Sequence, residues 1–80
     1  MNTRLTKEDQ TMIKEAKGNK FSGPIYSEDG LRLLKVLGNP EYLEVEDGVK
    51  AICDEACQGL DNLHEVVLPA SVTDLGTRAF

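Results

Sequence analysis

Few side chains of this chain could carry out chemistry, and those that could lie mostly between residues 53 and 64. Cys53 and Cys57 are four positions apart, a spacing that one helical turn would place on the same side. His64 is the only histidine. A mechanism of the Ser-His-Asp or Cys-His type would therefore have to use His64. One hypothesis for the function is thus a small thiol- or metal-dependent enzyme or redox protein that uses Cys53, Cys57 and His64.

The two cysteines have three interpretations. A zinc site needs about four ligands, and besides His64 only carboxylates such as Asp54, Glu55 and Asp61 are near in sequence to join them. A disulfide or redox pair is the second interpretation, although C-x-x-C is the usual redox spacing and this spacing is one position longer. The third is that both are small buried apolar residues. We favour the third interpretation and expect no metal, cofactor or catalytic residue.

Two other groups of polar residues have a structural explanation. An acidic run lacks the alternating order of an EF-hand loop, and we expect it to be a solvated sheet face; it consists of Glu41, Glu44, Glu46 and Asp47. His64 is expected to face solvent beside Glu65. No nucleophile elbow or phosphate loop is present, so the sequence predicts a protein that is not an enzyme.

Length, composition and charge limit the classes of partner. Eighty residues make one domain with a small core, and 40% hydrophobic with 29% charged residues is a globular composition. The net charge of −5 disfavours nucleic acid, and no apolar run is long enough for membrane insertion. We expect a protein or a glycan as partner. The first ten residues contain no signal peptide, which suggests a cytoplasmic protein if the sequence is taken as given.

Two elements are predicted before residue 40. A helix is expected over 5–18, because Thr6 can cap it with Asp9 at the third position after it and Gly18 can end it. A β-hairpin is expected over 24–37, because an Asp-Gly turn separates two apolar runs. Its second arm is apolar on both faces, which indicates a strand covered on both sides.

The rest of the chain repeats one pattern. "VEDGVKAICDEAC" and "LPASVTDLGTRAF" superimpose when Val45 is aligned with Leu68, and this period lies within the range that leucine-rich solenoids use. We assign repeat 1 to 42–63 and an incomplete repeat 2 to 65–80. Each repeat should begin with a short strand. After a corner in the chain, a second and shorter extended segment should follow. In repeat 1, one or two helical turns are expected after Cys53. A single aliphatic column should join Val49, Ile52, Val72 and Leu75.

The segment "LHEVVLPASVTDLGTRAF" (63–80) closely resembles the BspA-type leucine-rich repeats of bacterial and protist surface proteins. The residues that fall on the pattern L-x-x-V-x-L-P-x-S-V-T-x-L-G-x-x-A-F are Leu63, Val66, Leu68, Pro69, Ser71, Val72, Leu75, Gly76, Ala79 and Phe80. A weaker likeness extends over 25–80. The resemblance implies an α/β fold, a short leucine-rich-repeat solenoid of about two repeats with parallel strands, which the helix and hairpin cap at the N-terminal side. It also implies a non-catalytic role in adhesion or protein binding, at the cell surface or after secretion.

Repeat 1 departs from this pattern at both cysteines. Cys53 stands where the pattern has glycine, and Cys57 stands where it has phenylalanine. Replacing a buried phenyl ring by a thiol would leave a cavity worth roughly 3–5 kcal/mol if nothing filled it. We therefore expect Leu60 or residues of the hairpin to occupy that space, and repeat 1 to be adapted to meet a cap.

A candidate binding surface follows from strand alternation. If the inward residues are Leu43, Val45, Val66 and Leu68, the opposite face of the strands carries Tyr42, Glu44, Glu65 and Val67. An exposed aromatic ring beside an apolar residue is typical of recognition surfaces. We expect partner binding at these four residues, unless Tyr42 packs on the hairpin.

The C-terminal end suggests self-association. Val72, Leu75 and Phe80 would form an apolar end that the next turn of a longer array would cover. A second copy could cover it instead and give a homodimer. The chain is then either a self-assembly domain or a fragment of a longer repeat protein.

Overall fold

The computed structural model describes residues 1–80 and contains one helix and six short strands. In chain order they are α1 (Lys7–Gly18), β1 (Gly23–Tyr26), β2 (Arg32–Leu37), β3 (Tyr42–Glu44), β4 (Ala51–Ile52), β5 (Glu65–Val67) and β6 (Asp74–Leu75). The mixed α/β composition predicted from the sequence is therefore confirmed. The chain has no helix whose length and hydrophobicity would let it cross a membrane.

Helix α1 has the predicted N-cap, Thr6, and it begins at Lys7, two positions after the start of the predicted range. The Thr6 side chain accepts a hydrogen bond from the Asp9 N–H, and the Asp9 carboxylate accepts one from the Thr6 N–H, which completes a capping box. The helix ends at Gly18, the last residue of the predicted range, and Asn19 is the C-cap. The residue with left-handed φ falls later, at Lys20 (φ 57°). Gly18 is therefore the last residue of the helix and not a left-handed residue after the C-cap, the role for which glycine was expected to end it.

The predicted hairpin is confirmed. Strands β1 and β2 pair antiparallel from Gly23 opposite Leu37, with a register irregularity between Ile25 and Tyr26. The turn is held by the Asp29 carboxylate, which accepts hydrogen bonds from the Leu31 N–H and the Ser27 hydroxyl. Strand β2 is buried on both faces, because apolar clusters pack against it from both sides.

The strands of residues 42–80 pair with one another in parallel at a constant offset. Strand β4 lies between β2 and β6 in a four-stranded sheet of order β1-β2-β4-β6, and β3 pairs with β5 in a separate two-stranded sheet. Tyr42 is opposite Glu65 and Ala51 is opposite Asp74, so both pairs have the same separation along the chain as Val45 and Leu68. We call this separation one repeat length, residues 42–64 rung 1 and residues 65–80 rung 2.

The predicted aliphatic column is complete only in rung 1. Val49 and Ile52 are fully buried, and Val72 packs against the same cluster while remaining partly exposed. Leu75 pairs with Ile52 but is largely exposed, and Leu68, which we expected to point inward, is also exposed. Both expectations were wrong for one reason: rung 2 packs against rung 1, but no further segment packs against the opposite side of rung 2.

The helical turns predicted after Cys53 are absent. Residues 54–59 form consecutive turns with short-range bonds, such as the one from the Ala56 N–H to the Cys53 carbonyl. Glu55 has a left-handed backbone (φ 58°), and its N–H donates sideways to the Thr77 carbonyl. A helix needs these N–H groups for bonds along its own axis, so bonding between the rungs excludes it. Arg78, one repeat length after Glu55, has nearly the same φ (53°).

Two buried clusters form the core and separate the cysteines. Cys57 lies in the larger cluster between the two sheets, and Leu60 and Tyr26 of the hairpin pack against it. Leu60 and a hairpin residue, the two expected sources of side chains for the space at Cys57, thus both pack against the cluster that contains it. Cys53 lies in the smaller cluster beneath α1, together with Ile13, Ile25, Leu34 and Leu37. It is therefore a core residue, because at this position rung 1 meets the helix and hairpin.

Candidate functional site

Both cysteines are buried free thiols. Burial raises the pKa of the Cys57 thiol to about 11, despite the nearby Lys35 ammonium. Burial also raises the pKa of the Cys53 thiol, although the Arg32 guanidinium opposes the shift. Reactive thiols need the thiolate form and access to solvent, and these two have neither at neutral pH.

The structure does not bring His64 to either thiol. His64 is exposed, its backbone N–H donates to the Glu41 carbonyl, and no hydrogen bond joins its side chain to either cysteine. No three His, Cys, Asp or Glu side chains are grouped as metal ligands. Glu41, Glu44, Glu46 and Asp47 are all exposed to solvent. The acidic run thus lies on the surface, as expected.

Strands β3 and β5 carry the candidate binding surface. Their parallel register places Tyr42 beside Glu65 and Glu44 beside Val67, and all four residues are exposed. The residue between the outward pair of β3, Leu43, is buried in the core. Strand alternation therefore orients the four residues as predicted. We call Tyr42, Glu44, Glu65 and Val67 the strand face.

The Tyr42 side chain is held within the strand face. Its hydroxyl donates to the Glu44 carboxylate at 3.1 Å, two positions along the same strand. This hydrogen bond and the neighbouring negative charges raise the pKa of the Tyr42 phenol above its usual value. The ring lies about half exposed, so its apolar surface remains available to a partner.

Main-chain hydrogen bonds between β3 and β5 join the two strands of the strand face at both ends. The Val45 N–H donates to the Val67 carbonyl at 3.0 Å, and the Glu65 N–H donates to the Glu41 carbonyl. The hairpin contributes Tyr26, whose hydroxyl accepts a hydrogen bond from the Glu46 N–H at 3.2 Å. Sequence analysis missed this support, since residues 26 and 46 come together only through the tertiary fold. The strand face is thus joined by hydrogen bonds between its two strands and to the hairpin.

The strand face and its surroundings are acidic. Residues 41–47 and 64–68 contain five carboxylates and no lysine or arginine. Two of these carboxylates, Glu44 and Glu65, belong to the strand face itself. A surface with this charge attracts cations and repels anions over a distance of about 8–10 Å at physiological salt.

Two open clefts lie elsewhere, on the helix and hairpin side. The larger, about 440 Å³, is mostly polar, and its Arg32 and Asp9 already bond to each other. The other, about 320 Å³, is mostly apolar and is bordered by α1 and β1; it is lined by Met12, Glu15, Ala16, Phe21, Pro24 and Ile25. Neither cleft includes a residue of the strand face.

Comparison with known proteins identifies no relative of this chain. No protein-family model matches it, and neither a curated protein nor a solved structure matches it. Inference about function therefore rests on the geometry and charge of the strand face.

Proposed function

We propose that the chain is a non-catalytic binding module of the leucine-rich-repeat type that binds a partner protein through the strand face. In this proposal rungs 1 and 2 form a short solenoid, which α1 and the hairpin cap on the N-terminal side. The supporting observation is the parallel register of β3 and β5, which aligns four exposed side chains on one surface. Such side-by-side alignment of strands from successive repeats creates extended binding surfaces in solenoid proteins.

The chemistry of the strand face favours a basic partner segment. Glu44 and Glu65 offer carboxylates for charge-assisted hydrogen bonds to lysine or arginine. The exposed Tyr42 ring can hold a cation over its face, and Val67 adds an apolar contact. We therefore expect the partner to present lysine or arginine next to an apolar residue.

A peptide-display selection tests this proposal. Peptides would be selected on the wild-type protein and counter-selected on the double variant Tyr42→Ala/Glu65→Lys. Both positions are exposed, so the variant should fold. The selected peptides should be basic, and Tyr42→Ala should weaken their binding at least about tenfold, as for an aromatic residue that dominates an interface. Binding should also weaken steeply with added salt.

Phe21→Ala is the matched control, because Phe21 is a similarly exposed aromatic residue outside the strand face. It should leave binding unchanged. Selected peptides that are neutral or acidic, or that lose affinity with Phe21→Ala rather than Tyr42→Ala, would contradict the proposal. A glycan that binds the strand face when no peptide does would assign this surface to carbohydrate instead.

No observation favours the thiol- or metal-dependent alternative. Both thiols are buried with raised pKa values, and His64 lies on the surface with no hydrogen bond to either. The proposal of a binding module therefore assigns the cysteines to the core.

A further inference from the structure

The contact between the two rungs uses a regular set of backbone hydrogen bonds. The N–H groups of rung 1 at Val45, Glu55 and Cys57 donate to rung 2 carbonyls at 3.0, 2.9 and 2.7 Å. The acceptors are the carbonyls of Val67, Thr77 and Ala79. Each acceptor immediately precedes the rung 2 residue that corresponds to its donor, so the three bonds repeat one stacking geometry.

The equivalent donors of rung 2 are free. The residues one repeat length after these donors are Leu68, Arg78 and Phe80, and their N–H groups have no hydrogen-bond partner. Arg78 also has the left-handed backbone conformation of Glu55, so the two N–H groups lie in similar local backbone geometry. The C-terminal end of the stack therefore exposes the same donor row that rung 1 uses to hold rung 2.

Apolar side chains show the same difference between the rungs. In rung 1, Val45, Ile52 and Cys57 are 3%, 0% and 4% exposed. Their counterparts in rung 2 are Leu68, Leu75 and Phe80, and these are 39%, 60% and 53% exposed. Rung 2 covers the first set, and nothing covers the second. Large apolar side chains left exposed at the positions that are buried in the preceding rung indicate an interaction surface.

We propose that this end is an acceptor for one further rung, a parallel segment of one repeat length with the pattern of residues 58–80. Such a segment places carbonyl groups opposite the free N–H groups and covers the three exposed apolar side chains. It would also add a strand beside β5 and so extend the strand face.

A glycine is part of the required pattern. A Cβ on Gly76 would lie 2.5 Å from the Asp54 nitrogen and 2.7 Å from the Cys53 carbonyl carbon, and it would also overlap the Asp54 carboxylate. Rung 2 can therefore approach rung 1 only with glycine at this position. The incoming rung passes rung 2 in the same way and needs glycine at its equivalent position.

A second copy of the chain does not offer this arrangement. In a second copy, the side of rung 1 that faces the N-terminal elements is already covered, because β4 pairs with β2 of the hairpin. The carbonyls of Val67, Thr77 and Ala79 in that copy are bonded within its own stack. A homodimer through Val72, Leu75 and Phe80, the alternative expected from the sequence, would have to use other contacts; Val72 already packs against the core.

The test is to fuse a second copy of residues 58–80 directly after Phe80, which continues the repeat spacing. The matched control is the same fusion with the substitution G76V made only in the added copy, so that the original Gly76 is unchanged. The fusion should raise Tm by at least about 5 °C in one cooperative transition. It should also slow hydrogen exchange at the amides of Leu68, Arg78 and Phe80, and the control should do neither.

Two results would overturn the inference. One is a fusion with unchanged Tm and unprotected amides at those three residues. The other is a wild-type chain that sediments as a dimer at micromolar concentration and becomes monomeric with Phe80→Asp but not with Phe21→Asp. That outcome would assign the end to a second copy. Peptide binding at the strand face is measured separately, so either result leaves the proposed function testable.

Discussion

The Asp9 carboxylate lies 2.6 Å from the Arg32 guanidinium and joins the first turn of α1 to strand β2. Both side chains are largely buried, and the guanidinium also donates to the Asn2 and Arg4 carbonyls. Arg32 thus connects the N-terminal segment, the helix and the hairpin through one charged group. Removing one member of such a buried ion pair is strongly destabilising, because the other charge stays buried without its partner.

Asp9→Asn should lower the free energy of unfolding by about 3 kcal/mol, because it leaves the Arg32 charge poorly compensated. The asparagine oxygen can still accept the capping hydrogen bond from Thr6, so the change acts mainly on the ion pair. Glu8→Gln is the control, since Glu8 is an exposed carboxylate in the same helical turn. Urea unfolding measures the free energy of unfolding of both variants. If Asp9→Asn and Glu8→Gln lowered it equally, the ion pair would not stabilise the protein more than an exposed carboxylate does.

The same pair makes stability depend on acidity. Burial alone raises the pKa of Asp9, but hydrogen bonds from Arg32 and Thr6 outweigh it and hold the pKa below the ordinary 3.8. The stabilisation is therefore present above about pH 4 and is lost as the pH falls through the folded-state value. Tm measured from pH 2 to 6 should fall on the acid side, and Asp9→Asn should flatten that fall. Parallel curves for the two proteins would contradict the assignment.

Gly76→Ala should destabilise the chain by about 1–3 kcal/mol, the usual effect of overpacking. The reason is the close approach of Gly76 to the backbone of Cys53 and Asp54. Gly18→Ala is the control, because a Cβ at Gly18 meets nothing within 4 Å and its φ is not positive. Thermal unfolding compares the two variants. A Gly76→Ala protein as stable as the control would show that the rungs are not packed this closely.

Ser71 links the two rungs through its hydroxyl. It accepts a hydrogen bond from the Gly48 N–H at 3.2 Å and donates to the Val49 carbonyl at 2.7 Å. Ser71→Ala removes both hydrogen bonds, leaves the Gly48 N–H and the Val49 carbonyl without this partner, and should lower the free energy of unfolding by about 1–2 kcal/mol. Ser22→Ala, at an exposed serine outside the rungs, should change it by less than about 0.5 kcal/mol. The prediction fails if the two serines prove equivalent in denaturant unfolding.

Cys57 should make the protein lose stability in alkali. Its folded pKa of about 11 lies above the ordinary value of 9.0, because burial disfavours the thiolate. The stabilisation is complete below about pH 9 and disappears as the pH rises towards 11. Tm should therefore fall over this interval, and Cys57→Ala should lower Tm at neutral pH but reduce the alkaline fall. A native thiol that is alkylated at pH 8 as fast as an unfolded one would contradict its burial.

Local features were readable from the sequence. The capping box of Thr6 and Asp9 and the Asp29-Gly30 turn involve residues within a few positions of each other, so composition and spacing were enough to predict them. The repeat length was also readable, and the pairing of β3 with β5 and of β4 with β6 follows it. The orientation of the strand face came from strand alternation alone.

Other features depended on distant parts of the chain. The turns after Cys53 replace a helix because Glu55 and Cys57 bond to the other rung. The exposure of Leu68 and Leu75 depends on whether another segment packs against rung 2, and the pattern within one repeat does not encode that. The contact of Arg32 with Asp9 joins two different elements that are far apart in the chain, with no local signal.

By itself, the sequence determined which segments form the helix, the hairpin and the two repeats, and which residues of β3 and β5 point outward. Only the tertiary structure decided which apolar residues are covered, where the cysteines lie and how Arg32 joins three segments. The physical reason is the distance along the chain over which each interaction acts. Helix capping, turn formation and strand alternation act between residues that are close in sequence. Burial and bonding between rungs depend on surfaces that meet only after the whole chain has folded.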